Sequence, residues 1–64
     1  MKNIVREERL KQKKAQTDMA ASCGVGRQSI HAIEAQKLKP SIYLALKIAH
    51  SLSKPVGQIL FLED

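Results

Sequence analysis

Residues Gln16 to Glu34 read QTDMAASCGVGRQSIHAIE, and the spacing of their apolar side chains decides the fold. Met19, Ala20 and Cys23 fall at i, i+1 and i+4, which is one face of a helix, and Ile30 and Ile33 are the apolar pair of a second. Gly24 lies between them. A residue just past a helix C-terminus often needs positive φ, which glycine reaches without a Cβ clash, so Gly24 is read as the terminator of the first of these helices. Val25 then plugs the corner, and Gly26 takes the N-cap of the next helix.

Two short helices joined by a glycine turn make the helix-turn-helix arrangement, in which the second helix is offered to the major groove of DNA. At 100° per residue, Ile30 and Ile33 point inward with Glu34 flanking them, while Gln28, His31, Ala32 and Ala35 point away. Arg27 and Ser29 occupy the first turn, the end that would enter a groove. Arginine can make a bidentate contact with guanine, glutamine one with adenine, and a small alanine can meet a thymine methyl. Arg27, Gln28, His31 and Ala32 are therefore the candidate base-reading residues. Helix N-termini receive phosphate oxygens on their backbone amides, which makes Gln16 and Ser29 candidate phosphate contacts.

A chain of 64 residues is expected to form one domain, 1–64, close to the lower limit at which a single core suffices, so a homodimer is expected. Eleven Lys and Arg against six Asp and Glu give a net charge of +5, which suits a polyanionic partner. Cys23 is the sole cysteine, so neither an intrachain disulfide nor a thiolate zinc site can form, and no metal or cofactor is expected. It reads as a small buried apolar residue. His31 and His50 lie on separate helices with no nucleophile or carboxylate pair beside either, and the chain is too small to enclose the ~300 Å³ of a usual pocket. Enzymatic activity is not expected. No apolar run approaches the roughly 20 residues needed to span a bilayer, nor is there a charged leader with an apolar core. A cytoplasmic protein with no membrane partner is expected.

Lys2 to Lys14, KNIVREERLKQKK, is free of Gly and Pro and reads as a first helix with thin apolar content in Ile4, Val5 and Leu10. Gln16 and Thr17 begin the second helix, where Asp18 suits the helix dipole. After Glu34 the polar segment AQKLKPS ends the third helix before Pro40. Lys37 and Lys39 in it are candidate phosphate contacts. Ser41 is the expected cap of a fourth helix whose stripe is Ile42, Ala45, Ile48, Ala49 and Leu52. Tyr43, Leu44 and Leu46 exceed what one face needs, which leaves apolar groups for a second contact surface. Pro55 fits the first position of a short fifth helix with Val56, Ile59 and Leu60 as its core residues. The run ILFL cannot face one core from one helix, so an extended tail or burial against another subunit is expected. Ile59, Phe61 and Leu62 are the expected dimer interface.

These residues, densest in GVGRQSIHAIE and PSIYLALKIAHSL, carry a resemblance to the Cro/cI-type, or Xre, helix-turn-helix family of phage and bacterial repressors, particularly its small stand-alone members. The resemblance runs from about Val5 to Leu60. It implies an all-α, five-helix, lambda-repressor-like DNA-binding domain with a possible short extended C-terminal tail. It also implies a transcriptional repressor that binds a palindromic operator as a homodimer. The alternative on the same fold is an antitoxin-type protein-interaction module. By the resemblance Gln16 is the family's phosphate-contacting glutamine, and Arg27, Gln28 and Ala32 occupy base-reading positions. Arg9 and Glu34 fall where the family often pairs an arginine of the first helix with a glutamate ending the third. Glu8 and Lys14 stand where the family usually has apolar residues. Gly26 replaces a Ser or Thr cap, and Ala35 with Gln36 replaces Asn-Gly.

Overall fold

The computed structural model describes residues 2–61. Two residues of strand, β1 (Lys2–Asn3), lead into helix α1 (Val5–Lys11), and α2 (Gln16–Cys23), α3 (Arg27–Glu34) and α4 (Ile42–Ser51) follow. A 3₁₀ turn at Val56–Gln58 and strand β2 (Leu60–Phe61) complete the described chain. The core is built where the apolar periodicity places it: Met19, Ile30, Ile33, Ile48, Leu52 and Ile59 are essentially inaccessible, with Val5, Ala20, Cys23, Ala45 and Ala49 around them. Val25 at the corner, Leu44 and Val56 pack on this cluster from its edge.

The chain differs from an all-α, five-helix bundle at both ends. Lys2 pairs with Phe61 and Asn3 with Leu60 in an antiparallel two-stranded ribbon, and the Ile4 amide donates to the Ile59 carbonyl at 2.9 Å. The first helix is thus shorter than Lys2–Lys14, because its leading residues are taken up in hydrogen bonds to the other end of the same chain. The expected fifth helix is only the 3₁₀ turn, with Pro55 extended ahead of it (φ −61°, ψ 141°) rather than at a first helical position. The extended tail is present as β2. Ile59 points into the chain's own core at 1% exposure and does not form a dimer surface. Phe61 keeps 36% of its surface, and Leu62 lies outside the described residues.

Helix α1 is held by polar ties as much as by apolar contact. Val5 is buried while Leu10 is half exposed. The Gln12 amide donates to the Leu52 carbonyl at 2.8 Å and the Lys14 ammonium to the Ser51 carbonyl at 2.5 Å. Both satisfy the C-terminal end of α4, where carbonyls lack helical partners and cations are favoured. Glu8 is buried on the same side, with Lys54 at 3.8 Å, Lys11 at 4.0 Å and a hydrogen bond from Gln12 at 3.4 Å. The two departures from the family's apolar pattern, Glu8 and Lys14, thus bind α1 to the end of α4. Ser41 caps α4 as expected, accepting from the Leu44 amide at 3.1 Å. Ile42 departs from expectation: it belongs to the sequence stripe yet is 75% exposed, because this first helical residue lies at the stripe's angular margin.

Burial pushes the Cys23 thiol above its ordinary range against the opposing pull of the Lys47 charge, which fits a small apolar core residue.

Candidate nucleic-acid interface

The turn between α2 and α3 sets how the latter is presented. Gly24 is left-handed (φ +70°, ψ 31°), and the Val25 amide returns to the Ala20 carbonyl at 3.0 Å. A Cβ at Gly24 would meet nothing within 4 Å, so the demand there is on backbone conformation alone. Gly24→Ala is expected to destabilise the protein by about 1 kcal/mol, read from the midpoint of urea unfolding; an unchanged midpoint would contradict this role. Gly26 is extended (φ −78°, ψ 157°) and opens α3 without a side-chain cap.

With Ile30 and Ile33 buried, Arg27, Gln28 and His31 stand exposed on the opposite side, and Ser29 and Ala32 are half buried at its margins. The acidic end of α3 is fixed to α1. The Arg9 Nε donates to Glu34 Oε2 at 2.7 Å and Nη2 to Oε1 at 3.1 Å, while Nη1 reaches the Lys14 carbonyl at 2.6 Å. The two side chains are 8% and 2% exposed. The hydrogen bond to the Glu34 carboxylate raises the Arg9 pKa above its ordinary value; burial opposes and the carboxylate charge assists. A planar guanidinium gripping both carboxylate oxygens fixes orientation as well as distance.

Gln16 joins this pair. Its Nε2 donates to Glu34 Oε1 at 3.1 Å and lies 3.4 Å from His31 Nδ1. The side-chain amide expected to meet a phosphate thus also bonds within the protein, next to the Gln16 backbone amide at the helix start. His31 is exposed beside this amide, and each of its ring nitrogens donates or accepts according to the tautomer. Asp18 reaches back to the Ala15 amide at 3.1 Å, closing the first turn of α2.

Beside this network lies an open pocket of about 230 Å³ lined by Arg6, Gln16, His31, Glu34 and Ala35. Arg6 was not among the residues singled out from sequence. Its signal there is position alone: it precedes Arg9 by three residues and so shares a helix face with it.

The exit from α3 lacks the family's glycine, and Gln36 takes the left-handed conformation itself (φ +64°). Its amide pairs with Asn3. Gln36 Oε1 accepts from the Asn3 backbone and side-chain amides, both at 3.1 Å, and its Nε2 donates to the Asn3 carbonyl at 3.0 Å. Asn3 is 4% exposed. Its side chain also donates to the Ile33 carbonyl at 2.9 Å and accepts from the Val5 amide at 3.1 Å. Past this junction Lys37 and Lys39 are exposed, and the Lys37 and Leu38 amides return to the Ala32 carbonyl.

The glycine-hinged helix pair, its outward polar face and the buried arginine–glutamate clamp are the defining parts of one class. The chain belongs to the helix-turn-helix family of the Cro/cI, or Xre, type, whose model matches residues 5–59. It is 41% identical to an uncharacterized HTH-type transcriptional regulator of Methanocaldococcus jannaschii, over 100% of this chain and 97% of the relative. It is 38% identical to the uncharacterized HTH-type transcriptional regulator YgzD of Bacillus subtilis, again over 100% and 97%. A third such regulator, from Methanothermobacter thermautotrophicus, is 34% identical over 100% of this chain and 93% of its own length. The terminal ribbon lies outside the span the family model matches. Among the described residues no group of three or more His, Cys, Asp or Glu comes together as a metal site, and no helix is long and apolar enough to cross a membrane.

Proposed function

We propose that residues 1–64 act as one sequence-specific, double-stranded DNA-binding domain of a cytoplasmic transcriptional regulator, a repressor that binds a palindromic operator as a homodimer. The observation that carries this reading is the outward face of α3: Arg27, Gln28 and His31 are exposed together on a helix whose opposite side is locked into the core. The three HTH-type transcriptional regulators that resemble the whole chain support it. Arg27, Gln28, His31 and Ala32 read base edges. Lys37, Lys39, Ser29 and the start of α2 at Gln16 fix register on phosphates, with Arg6 on the same side of the molecule as Gln16 and His31. Two copies place their α3 helices in successive major grooves, half-sites centred about 10 bp apart, and repression follows by occluding polymerase.

Selecting bound sequences from a random DNA pool tests this reading: a two-fold symmetric motif is the expected result, and recovery of no motif would defeat it. Arg27→Ala is expected to cost roughly 1 to 3 kcal/mol and to relax preference at one position of the half-site. Lys39→Ala is expected to weaken all sequences alike and to flatten the salt dependence by about one unit of slope. Binding titrations on operator and scrambled DNA across a salt series separate the two. An equal loss for every sequence in Arg27→Ala would remove it from base reading.

A further inference from the structure

We infer that Arg6 and Gln16 form a seat for one phosphate of the DNA backbone, in the open pocket between α1, the start of α2 and the end of α3. The inference rests on the DNA-binding reading and adds a third element, α1, to the surface that meets the duplex. The pocket encloses about 230 Å³ and is lined by Arg6, Gln16, His31, Glu34 and Ala35.

The charges around the pocket decide what it takes. Its one carboxylate, Glu34, is buried and held on both oxygens by Arg9, so little negative field is left for an incoming group. Arg6 is exposed, and among the described residues it enters no ion pair. The two arginines of α1 thus divide the work. Arg9 is spent on the clamp, and Arg6, about 4.5 Å earlier along the same helix face, leaves an uncompensated cation at the pocket. Asp18, the acid in the first turn of α2, is turned onto the Ala15 amide and does not line the pocket.

The donors suit a phosphate. A guanidinium offers paired N–H groups that match two phosphate oxygens. Gln16 supplies another donor, because its Nε2 carries two hydrogens. Beside the bond to Glu34 Oε1 at 3.1 Å, this nitrogen meets His31 Nδ1 at 3.4 Å, a long contact that a charged oxygen readily replaces. The pocket is open and smaller than the roughly 300 Å³ of an enclosing ligand site, which fits a group presented on a strand better than a free metabolite. His31 joins it to the exposed face of α3, so a strand flanking that face carries its phosphates past the pocket mouth.

Binding titrations on the selected DNA motif test the seat, with circular dichroism establishing that each variant is folded. Arg6→Ala is expected to keep the wild-type ranking of operator over scrambled DNA while losing about 0.9 of salt slope, so that a fourfold rise in salt costs it roughly 3.5-fold less affinity than it costs wild type. Arg6→Lys keeps the charge and is expected to restore most of that slope. Replacing operator phosphates one at a time by neutral methylphosphonates locates the contact. One replacement that weakens wild-type binding should have no effect on Arg6→Ala or Gln16→Ala, while the other sensitive positions keep theirs. A wild-type slope and an unchanged methylphosphonate pattern in Arg6→Ala would remove the seat and leave the DNA-binding reading standing. An unchanged pattern, with inorganic phosphate alone shifting the Arg6 Nε resonance, would give the pocket to a free anion and overturn the assignment. If no DNA motif is selected at all, both readings fail.

Discussion

Glu34→Ala is expected to destabilise the fold by about 3 kcal/mol. The reason is what the substitution leaves behind. Arg9 stays buried with its guanidinium reduced to the Lys14 carbonyl, and Gln16 loses the acceptor that ties α2 into the clamp. An uncompensated buried charge costs far more than the pair contributes, so Arg9→Ala should be comparably damaging. The double variant Arg9→Met, Glu34→Leu should recover most of the stability. Urea unfolding of the four proteins measures this, and wild-type midpoints for either single alanine variant would refute it. The pH dependence has a definite sign. Because the Arg9 pKa is raised in the folded state, its contribution is fully present below the unfolded value and is lost only as pH climbs through the folded one. Arg9 itself should therefore add no loss of stability between neutral and mildly alkaline pH.

Asn3→Ala ranks next, at about 2 to 3 kcal/mol, although a two-residue strand would not ordinarily suggest it. The Asn3 side chain satisfies the Val5 amide at the start of α1 and the Ile33 carbonyl near the end of α3, and it is paired to Gln36. Truncation leaves buried backbone groups without partners, the costly side of hydrogen bonding. Gln36 separates this effect from backbone strain. Gln36→Ala loses the amide and keeps a non-glycine residue at φ +64°, whereas Gln36→Gly loses the amide but regains about 1 kcal/mol of conformational freedom. The glycine variant should be the more stable of the two. Thermal melts of the three variants decide the matter: Asn3→Ala melting with wild type would show that the ribbon is ornamental, and equal Gln36 variants would show that its turn is unstrained.

What could be read from the sequence was whatever local periodicity determines. Met19, Ala20, Cys23, Ile30 and Ile33 declare their burial by spacing, Gly24 by the conformation a helix exit requires, and Ser41 by its side-chain acceptor. The outward side of α3 followed by subtraction, so Arg27, Gln28 and His31 were legible with it. The Arg9–Glu34 pair came through family resemblance rather than through spacing. The structure adds features created by distant partners. Lys2 and Asn3 look helical because nothing near them shows that Leu60 and Phe61 will pair with them. Gln36 looks like a faulty turn until Asn3 is beside it. Glu8 looks misplaced until Lys54 arrives from beyond α4. Ile59 reads both as core and as dimer interface, because an apolar run at a chain end does not disclose which of its members the chain's own core will claim; the structure places it in the core. The bond from Gln16 to Glu34 is likewise set by a distant partner.

The ribbon also bears on the order in which the protein assembles. The α2–α3 corner joins neighbours in the chain and closes quickly. Pairing Lys2 with Phe61 instead draws together almost the full length of chain, and that loop entropy is offset only once the intervening helices are docked. The ribbon is therefore expected to form last and to open first. Native-state hydrogen exchange should release the Asn3 amide well before those of Ile30 and Ile33. Brief fraying at the ends would then free the Gln36 turn, and with it the lysines beyond, while α3 remains seated in the core.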